Sequence, residues 1–542
     1  MNRKWILPTI ILMVGTMIVI TALFLIGPLL DKRITAGLNE KYPDYTFEIE
    51  KVNWSLISSN LELNKITIAS KTEQPGAWNL NGEIASVELK GISLIKALFQ
   101  SNYQIDEVIV SNSILEGNIP PRDKEKRPIL STLNLQIGNL IFDKIDLSLK
   151  DPSSDQTLSV KEGVLNIMDL EIEKLDTLCI LNHFDFKVQQ IRSVSPDSMY
   201  TYQASGIVYS DTLKNLSIDS LLIAPNYMDY DFTKRFLYEN NRLEADFKHI
   251  ILNRFSAVDY FNTGNFISSY IAIGSMDLNV FRDKRKKDSP LKKPALQELV
   301  YNFPGLLHID SIGLNGGSIT YTEHAEKANE PGKISMNELK VNIYNVTNDS
   351  IYKTKDSTME MRLEALLMGK SKMTISMKAK LFDHLNTFLV KGSLAEIAVR
   401  ELNPILEKNA FVYANSAKID QINFDFSAND QKSTGKMIML YHDLDVDIKN
   451  KRTDETKALK ERIVSLIVNK KTWDSNPIPG EKARVGIIDY ERDSTKFIFY
   501  YCIKSIVSGI KSSIIKDLPR KKTFLQKIFS NEHKKQKDPT KN

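Results

Sequence analysis

Two cysteines in 542 residues, Cys179 and Cys502, stand far apart and in no CxxC pair. They build neither a disulfide framework nor a zinc site. Histidine is nearly as scarce: seven are scattered singly, none in HExxH and none beside a cysteine. The chain has no GxSxG elbow, no P-loop and no GxGxxG after a strand-like run. The usual sequence supports for nucleophilic, phosphoryl-transfer and dinucleotide chemistry are therefore missing. We expect no enzyme, no cofactor and no metal. Glycine (23) and proline (19) are too few for a low-complexity chain, and 42% hydrophobic with 26% charged residues is the balance of a folded protein.

A basic body is also lacking. Net charge is +5, but residues 516–542 hold nine basic and three acidic side chains, so the rest sits near −1. Nucleic-acid binding would need a basic stripe across the fold, and nucleic acid is not expected as a partner. Long apolar runs are absent save one. Trp5 to Leu30 carries no charge and, at 1.5 Å per residue, gives about 39 Å of helix, enough to span a bilayer core. Arg3 and Lys4 precede it, which places the N-terminus in the cytoplasm. Gly27-Pro28-Leu29-Leu30 lacks a cleavage pattern. The expectation is an uncleaved anchor with the rest of the chain on the outer side.

What is present is a recurring ribbon. Tyr103 to Gly117 is YQIDEVIVSNSILEG, and Leu135 to Leu149 is LQIGNLIFDKIDLSL. Leu216 to Tyr230 is LSIDSLLIAPNYMDY, and Leu307 to Tyr321 is LHIDSIGLNGGSITY. Position 3 is Ile105, Ile137, Ile218 and Ile309. Position 6 is Val108, Leu140, Leu221 and Ile312, and position 8 is Val110, Phe142, Ile223 and Leu314. Position 13 is Leu115, Leu147, Met228 and Ile319. Spacing of two is strand periodicity with one apolar face. Parity slips between positions 3 and 6, where a bulge restores the face. It changes again between 8 and 11, where we expect a two-residue hairpin, Asn315-Gly316 being the strongest turn pair. Partial echoes occur at Leu61–Ala69 and at Ala417–Phe424, which adds Ile422 and Phe424 to the apolar set.

Helical patterns are few: Asp31–Lys41, Ser93–Phe99, Lys457–Val468, and an amphipathic stretch in which Ile503, Ile506, Val507, Ile510 and Ile514 recur at 3–4 spacing. That last helix either caps the open end of a sheet or lies on a membrane surface. The sheet must cover its apolar side, and helices are too few to do so. This leaves a folded-over sheet whose interior is a dry core or a lipid-sized groove. Lys340 and Lys378 are candidate edge guards. His308 and Glu323 read as decoration of a hydrophilic face, and Asp443 with Asp445 as solvated alternation or a cation pair.

The single anchor, the short exit helix and the recurrent I-D-x-I-x-L-x-x-G ribbons resemble the AsmA-like family of cell-envelope proteins. The likeness is strongest over Leu307–Lys449, in LHIDSIGLNGGSITYTE, GKISMNELKVNIYNV, KGSLAEIAVRELNPIL and KSTGKMIMLYHDLDVDI, and in NVFRDKRKK at Asn279–Lys287. The resemblance implies a mainly β fold: an elongated, curved antiparallel sheet forming an apolar groove, anchored in the inner membrane with its bulk in the periplasm. It implies phospholipid as cargo, the inner membrane and other envelope proteins as partners, and a role in envelope or outer-membrane homeostasis. The largest relatives are much longer, so full bridging of the periplasm is not implied. The expected organisation is 1–4 cytoplasmic, 5–30 anchor, 31–300 first part of the groove body, 301–496 second part, 497–518 amphipathic helix and 519–542 a disordered basic tail. The expected lining is Ile105, Val108, Val110, Ile137, Leu140, Phe142, Ile218, Leu221, Ile223, Ile309, Ile312, Leu314, Ile319, Ile422 and Phe424. Ile503, Ile506, Val507, Ile510 and Ile514 are the candidate membrane-contacting helix residues. The alternative is a structural or partner-binding scaffold with a filled core.

Overall fold

The structure, a computed structural model, describes residues 30–55, 58–71, 79–93, 102–118, 134–172, 183–354, 357–448 and 472–516. The expected anchor lies outside these except for Leu30, as do the expected 93–99 helix except for Ser93, the expected 457–468 helix and the tail from 519. Among the described residues no helix is long and apolar enough to cross a membrane.

Few glycines and prolines and near-continuous alternation leave extended chain as the only regular option, and the result is one sheet of 21 strands. The first strands are β1 (Tyr45–Ser55), β2 (Asn60–Ser70), β3 (Leu80–Lys90), β4 (Asn102–Asn118), β5 (Asn134–Lys150) and β6 (Thr157–Ile172). Next come β7 (His183–Val194), β8 (Tyr200–Ser210), β9 (Asn215–Pro225), β10 (Asn241–Asn253) and β11 (Phe266–Asp283). Each pairs with the next in the chain. β12 (Leu307–Leu314) and β13 (Gly317–His324) lie end to end beside β11, followed by β14 (Gly332–Thr347), β15 (Thr358–Leu367) and β16 (Ser371–Lys380). β17 (Phe388–Leu394), the short β18 (Ile397–Ala398), β19 (Val412–Ala428), β20 (Lys432–Ile448) and β21 (Val485–Glu491) complete it.

The sheet is mixed, which corrects the expectation of a purely antiparallel one. β4 runs parallel to β5, and β11 runs parallel to both β12 and β13. A parallel neighbour requires a crossover, and residues 284–306 supply the second of these. The expected hairpins are also corrected. Positions 8 to 11 fall inside continuous β4 and β5, and β12–β13 keep one direction along β11. The parity change is real, but a crease produces it. Lys65, Asn112, Lys144, Glu162, Gly206 and His249 have left-handed backbone, φ between 47° and 61°. The register skips a residue at each of them. Left-handed backbone costs a non-glycine residue roughly 1–2 kcal/mol. In return, adjacent strands turn over together and one apolar face stays continuous, with the added bend that bulges bring. The slip between positions 3 and 6 has the same origin. Asp106 lies against Gly91 (φ 68°), Asp219 against Gly206 (φ 61°), and Asp310 opposite Asn345 (φ 60°).

Both edges are sealed, though not by Lys340 and Lys378, whose strands are paired on both sides. At the first edge, helix α1 (Leu30–Lys41) buries Ile34 and Leu38 against β1. Its Asn39 amide donates to the Phe47 carbonyl at 3.0 Å and accepts the Phe47 N–H at 2.7 Å. Four short or helical turns follow the strands inward: α2 (Asp229–Lys234), α3 (Ala257–Thr263), α4 (Leu296–Tyr301) and the irregular turn at 399–410. At the last edge lies α5 (Ile498–Ile514). The N–H groups of Ile487 and Asp489 donate to Ser512 Oγ (2.9 Å) and Ser508 Oγ (3.2 Å). Four helix residues rise about 6 Å and two strand residues about 6.7 Å, so the two spacings match.

Candidate functional site

Register places one apolar face on every strand. A single row runs Ile207, Ile218, Ile250, Ile273, Leu314, Val341, Leu363, Ile375. Another runs Ile223, Ala245, Leu278, Ile319, Met336, Leu367. The environment of this face changes along the sheet. Over β2–β5 it is filled: Leu63, Ile66, Ile84, Val87, Val108 and Leu140 are all 0% exposed. Over β17–β21 it is filled again, by Phe388, Phe426, Met437 and Tyr501. Between them, on β8–β16, most of the same face is only half-buried, including Leu221, Phe247, Met276, Leu278, Ile319 and Met336. Tyr202 and Leu243, on the same face, are each 41% exposed.

The expected lining therefore divides. Ile105, Val108, Val110, Ile137, Leu140 and Phe142 lie in the filled first part, 0–2% exposed. Ile309, Leu314, Ile422 and Phe424 are buried in or beside the second core. Ile218, Leu221, Ile223, Ile312 and Ile319 remain half-buried in the open middle. The third ribbon stops early: β9 ends at Pro225, and Met228, expected on the inner face, caps α2 and is 77% exposed.

The open middle has two built ends. At one, α3 brings an aromatic plug: Phe184 meets Phe261 (6.0 Å between ring centres) and Tyr209 (5.5 Å), and Phe255 meets Phe266 (5.2 Å). Tyr209 is pinned there, accepting the Ala257 N–H at 3.0 Å and donating to Asp211 at 2.9 Å. Burial raises the Asp211 carboxyl, but hydrogen bonds from Lys214, His183 and Tyr209 outweigh it and hold the group below the ordinary carboxylate range.

At the other end the rows finish in charge. Beyond Leu278 on the same face of β11 comes Arg282, and beyond Ile319 on β13 come Tyr321 and Glu323. Arg282 Nε donates to Glu239 at 3.1 Å, its NH2 group meets the other oxygen, and Lys496 shares that oxygen while reaching Asp288 at 2.7 Å. Lys496 holds the Asp288 carboxyl below its ordinary range. Glu323 accepts from Tyr321 (2.5 Å), Lys284 (2.9 Å) and Asn409 (2.7 Å). It is buried, not surface decoration as its place in the pattern suggested. Burial, then the Glu323 charge, push the Tyr321 hydroxyl up. This clasp ties the segment that leads into α5 to the β10–β13 region, and nothing local in the sequence marks it.

Of the two readings of the C-terminal helix, the capping contact is present. α5 packs on β20 and β21 through Ile498, Tyr501, Ser505, Gly509 and Ser513. Ile506, Ile510 and Ile514 pack against the second core and Val507 is half-buried, whereas Ile503 is 59% exposed beside Phe499 at 64%. Burial pushes the Cys502 thiol up to about 12, as suits an inert thiol. No protein-family model and no curated protein matches the chain.

Proposed function

We propose that this is a membrane-tethered, periplasmic protein of AsmA-like type that holds or conducts phospholipid, without catalysis, in the open middle of its sheet. The observation that carries the reading is the half-exposed apolar face on β8–β16, set between two stretches where the same face is filled. An acyl chain of about 16 carbons gains on the order of 10 kcal/mol on leaving water, and a strip of leucine, isoleucine and methionine offers that environment along several strands. Headgroups stay at the open side. Exposed Phe499 and Ile503 on α5, together with the basic residues that follow Lys516 in the sequence, favour contact with an anionic membrane surface. The filled parts suit the scaffold alternative, but only for the strands they cover.

The test compares two lysines. Val108→Lys enters a site that is 0% exposed and is expected to abolish the folded protein. Leu278→Lys enters the open face and is expected to leave folded protein at wild-type level while removing most copurified phospholipid, measured by mass spectrometry of an extract from the purified full chain. Unfolding by both variants, or an extract without lipid from the wild type, would overturn the reading in favour of a filled scaffold.

A further inference from the structure

Three connections meet at the end of the sheet toward which the open rows run. They are residues 226–240 between β9 and β10, residues 284–295 of the crossover, and residues 492–499, which lead into α5. Hydrogen bonds tie them together. The Glu239 N–H donates to the Lys287 carbonyl at 2.8 Å, and the Lys293 N–H to that of Ser494 at 2.8 Å. The Lys286 ammonium reaches the Thr233 carbonyl at 2.7 Å. Each connection leaves a large apolar side chain in water: Leu237 is 79% exposed, Leu291 69% and Phe499 64%. The Lys293 ammonium lies 5.3 Å from the centre of the partly exposed Phe497 ring.

Charge also sets this end apart. The three connections hold ten basic and five acidic side chains, a net +5, on a body that sits near −1. All five acids are engaged within the fold. Asp229 pairs with Arg242, Asp231 with Lys234, and both Glu239 and Asp288 with Lys496. Asp493 accepts the N–H and hydroxyl of Thr495. Lys287, Lys292 and Lys293 form no ion pair among the described residues. Leucine and phenylalanine tips among unpaired lysines suit an anionic bilayer. The tips enter the boundary between headgroups and acyl chains, and the ammonium groups meet lipid phosphate. Lysine is depleted where proteins meet proteins, which favours the bilayer over a protein partner.

We propose that this rim, built from the 226–240, 284–295 and 492–499 connections, docks on the surface of an anionic lipid bilayer. The inference rests on the lipid reading and deepens it. It extends the membrane contact from α5 to two further connections, and it assigns the attraction to the crossover lysines instead of the tail. The row through Leu278 and Ile319 runs toward this end, so docking brings one end of the open face to the headgroup layer.

The experiment uses the full chain reconstituted in vesicles of phosphatidylcholine, alone or mixed with phosphatidylglycerol. A nitrobenzoxadiazole label is placed on Leu291→Cys or on Leu213→Cys, and the labelled wild type gives the background from its own two cysteines. Leu213 is a matched control: it is 73% exposed, in the β8–β9 turn at the opposite end of the sheet. The label at 291 is expected to shift to the blue in phosphatidylglycerol vesicles and not in phosphatidylcholine alone, while the label at 213 shifts in neither. Replacing Lys287, Lys292 and Lys293 together by Glu is expected to abolish the shift, and replacing them by Arg to keep it. No shift at 291, an equal shift at 213, a shift that survives the three Glu replacements, or its loss with Arg overturns the rim. A shift that arises in detergent without vesicles and grows with protein concentration also overturns it and assigns the patch to a second copy. Circular dichroism of the Glu variant, with the Arg variant beside it, separates lost docking from lost fold. Phospholipid copurifying with a chain that shows no shift sinks the rim and leaves the lipid reading standing. An extract without lipid beside a clear shift at 291 does the reverse.

Discussion

Glu239 is the place where removing one negative charge should loosen the arm formed by β21 and α5. Its side chain is 3% exposed, and those of its two cations, Arg282 and Lys496, are 13% and 6% exposed. Breaking a buried pair by deleting one partner costs about 3–5 kcal/mol, because the remaining charge is left without compensation. In Glu239→Gln the buried Arg282 loses its carboxylate, and Lys496 keeps only the exposed Asp288. Lys496 immediately precedes α5, and Lys293 in the crossover donates its N–H to Ser494 at 2.8 Å. The strain therefore falls on the arm formed by β21 and α5. Local opening by about 3–4 kcal/mol accelerates amide exchange two to three orders of magnitude.

Hydrogen exchange read by mass spectrometry checks this on peptides from 485–514, with peptides from 134–172 as the internal reference. The reference belongs to the filled first core and is expected to stay protected. Lys496→Met leaves Glu239 paired with Arg282 and is expected to open the arm less. Replacing all three charges with leucine is expected to restore much of the protection, since apolar replacements of a buried ion cluster are often neutral or better. Unchanged exchange over 485–514 in Glu239→Gln would refute the clasp. So would an increase shared equally with 134–172, which would mean a global loss of stability.

Three further outcomes follow from the same contacts. Ser508→Ala with Ser512→Ala removes the two hydroxyls on the β21 edge and is expected to cost about 1 kcal/mol each, with faster exchange at Ile487 and Asp489 and more self-association in light scattering. Gly206→Ala is expected to cost about 1–2 kcal/mol in urea unfolding for its left-handed backbone. Its new Cβ also lies 2.0 Å from an Asp219 oxygen, so the loss should shrink in an Asp219→Ala background. Asp211 has its carboxyl held below the ordinary range in the fold, so its contribution is present above the unfolded pKa of about 3.9 and fades as pH falls through the lower folded value. The stability gap between wild type and Asp211→Asn is expected to be flat at neutral pH and to close below about pH 4, and a gap that widens on acidification would contradict this.

The parity of the strands was legible because it depends only on the side chain two residues away. All four isoleucines at position 3 belong to the apolar face. The choice between crease and hairpin was not, since Asn112 and Asn315-Gly316 suit either and only the next strand's position decides. Strand direction failed for a related reason: the parallel pairs depend on where the crossovers lead, and polar linkers do not state that. Lys340 and Lys378 look like edge guards in sequence, because the outer face of an interior strand carries the same alternation as an edge. The clasp was beyond reach, Glu239 and Lys496 being 257 residues apart.

Whether the interior is filled or open could not be read from the strands, because the ribbons at Ile105 and at Ile218 share the same spacing of apolar residues. The difference is made by what faces them. A sheet that simply collapsed would bring its own side chains together everywhere, as it does on β2–β5, since interiors close to crystal density when nothing holds them apart. On β8–β16 two bodies stand in the way. The aromatic plug around Tyr209 and Phe261 occupies one end of the face, and the charged clasp around Glu239 cannot leave its partners to let the strands approach at the other. An apolar strip propped open by groups that are themselves costly to unpair is a poor way to build a scaffold. Under the proposed reading the strip keeps room for a chain of methylenes, which half-buried side chains such as Leu278 and Met336 would meet.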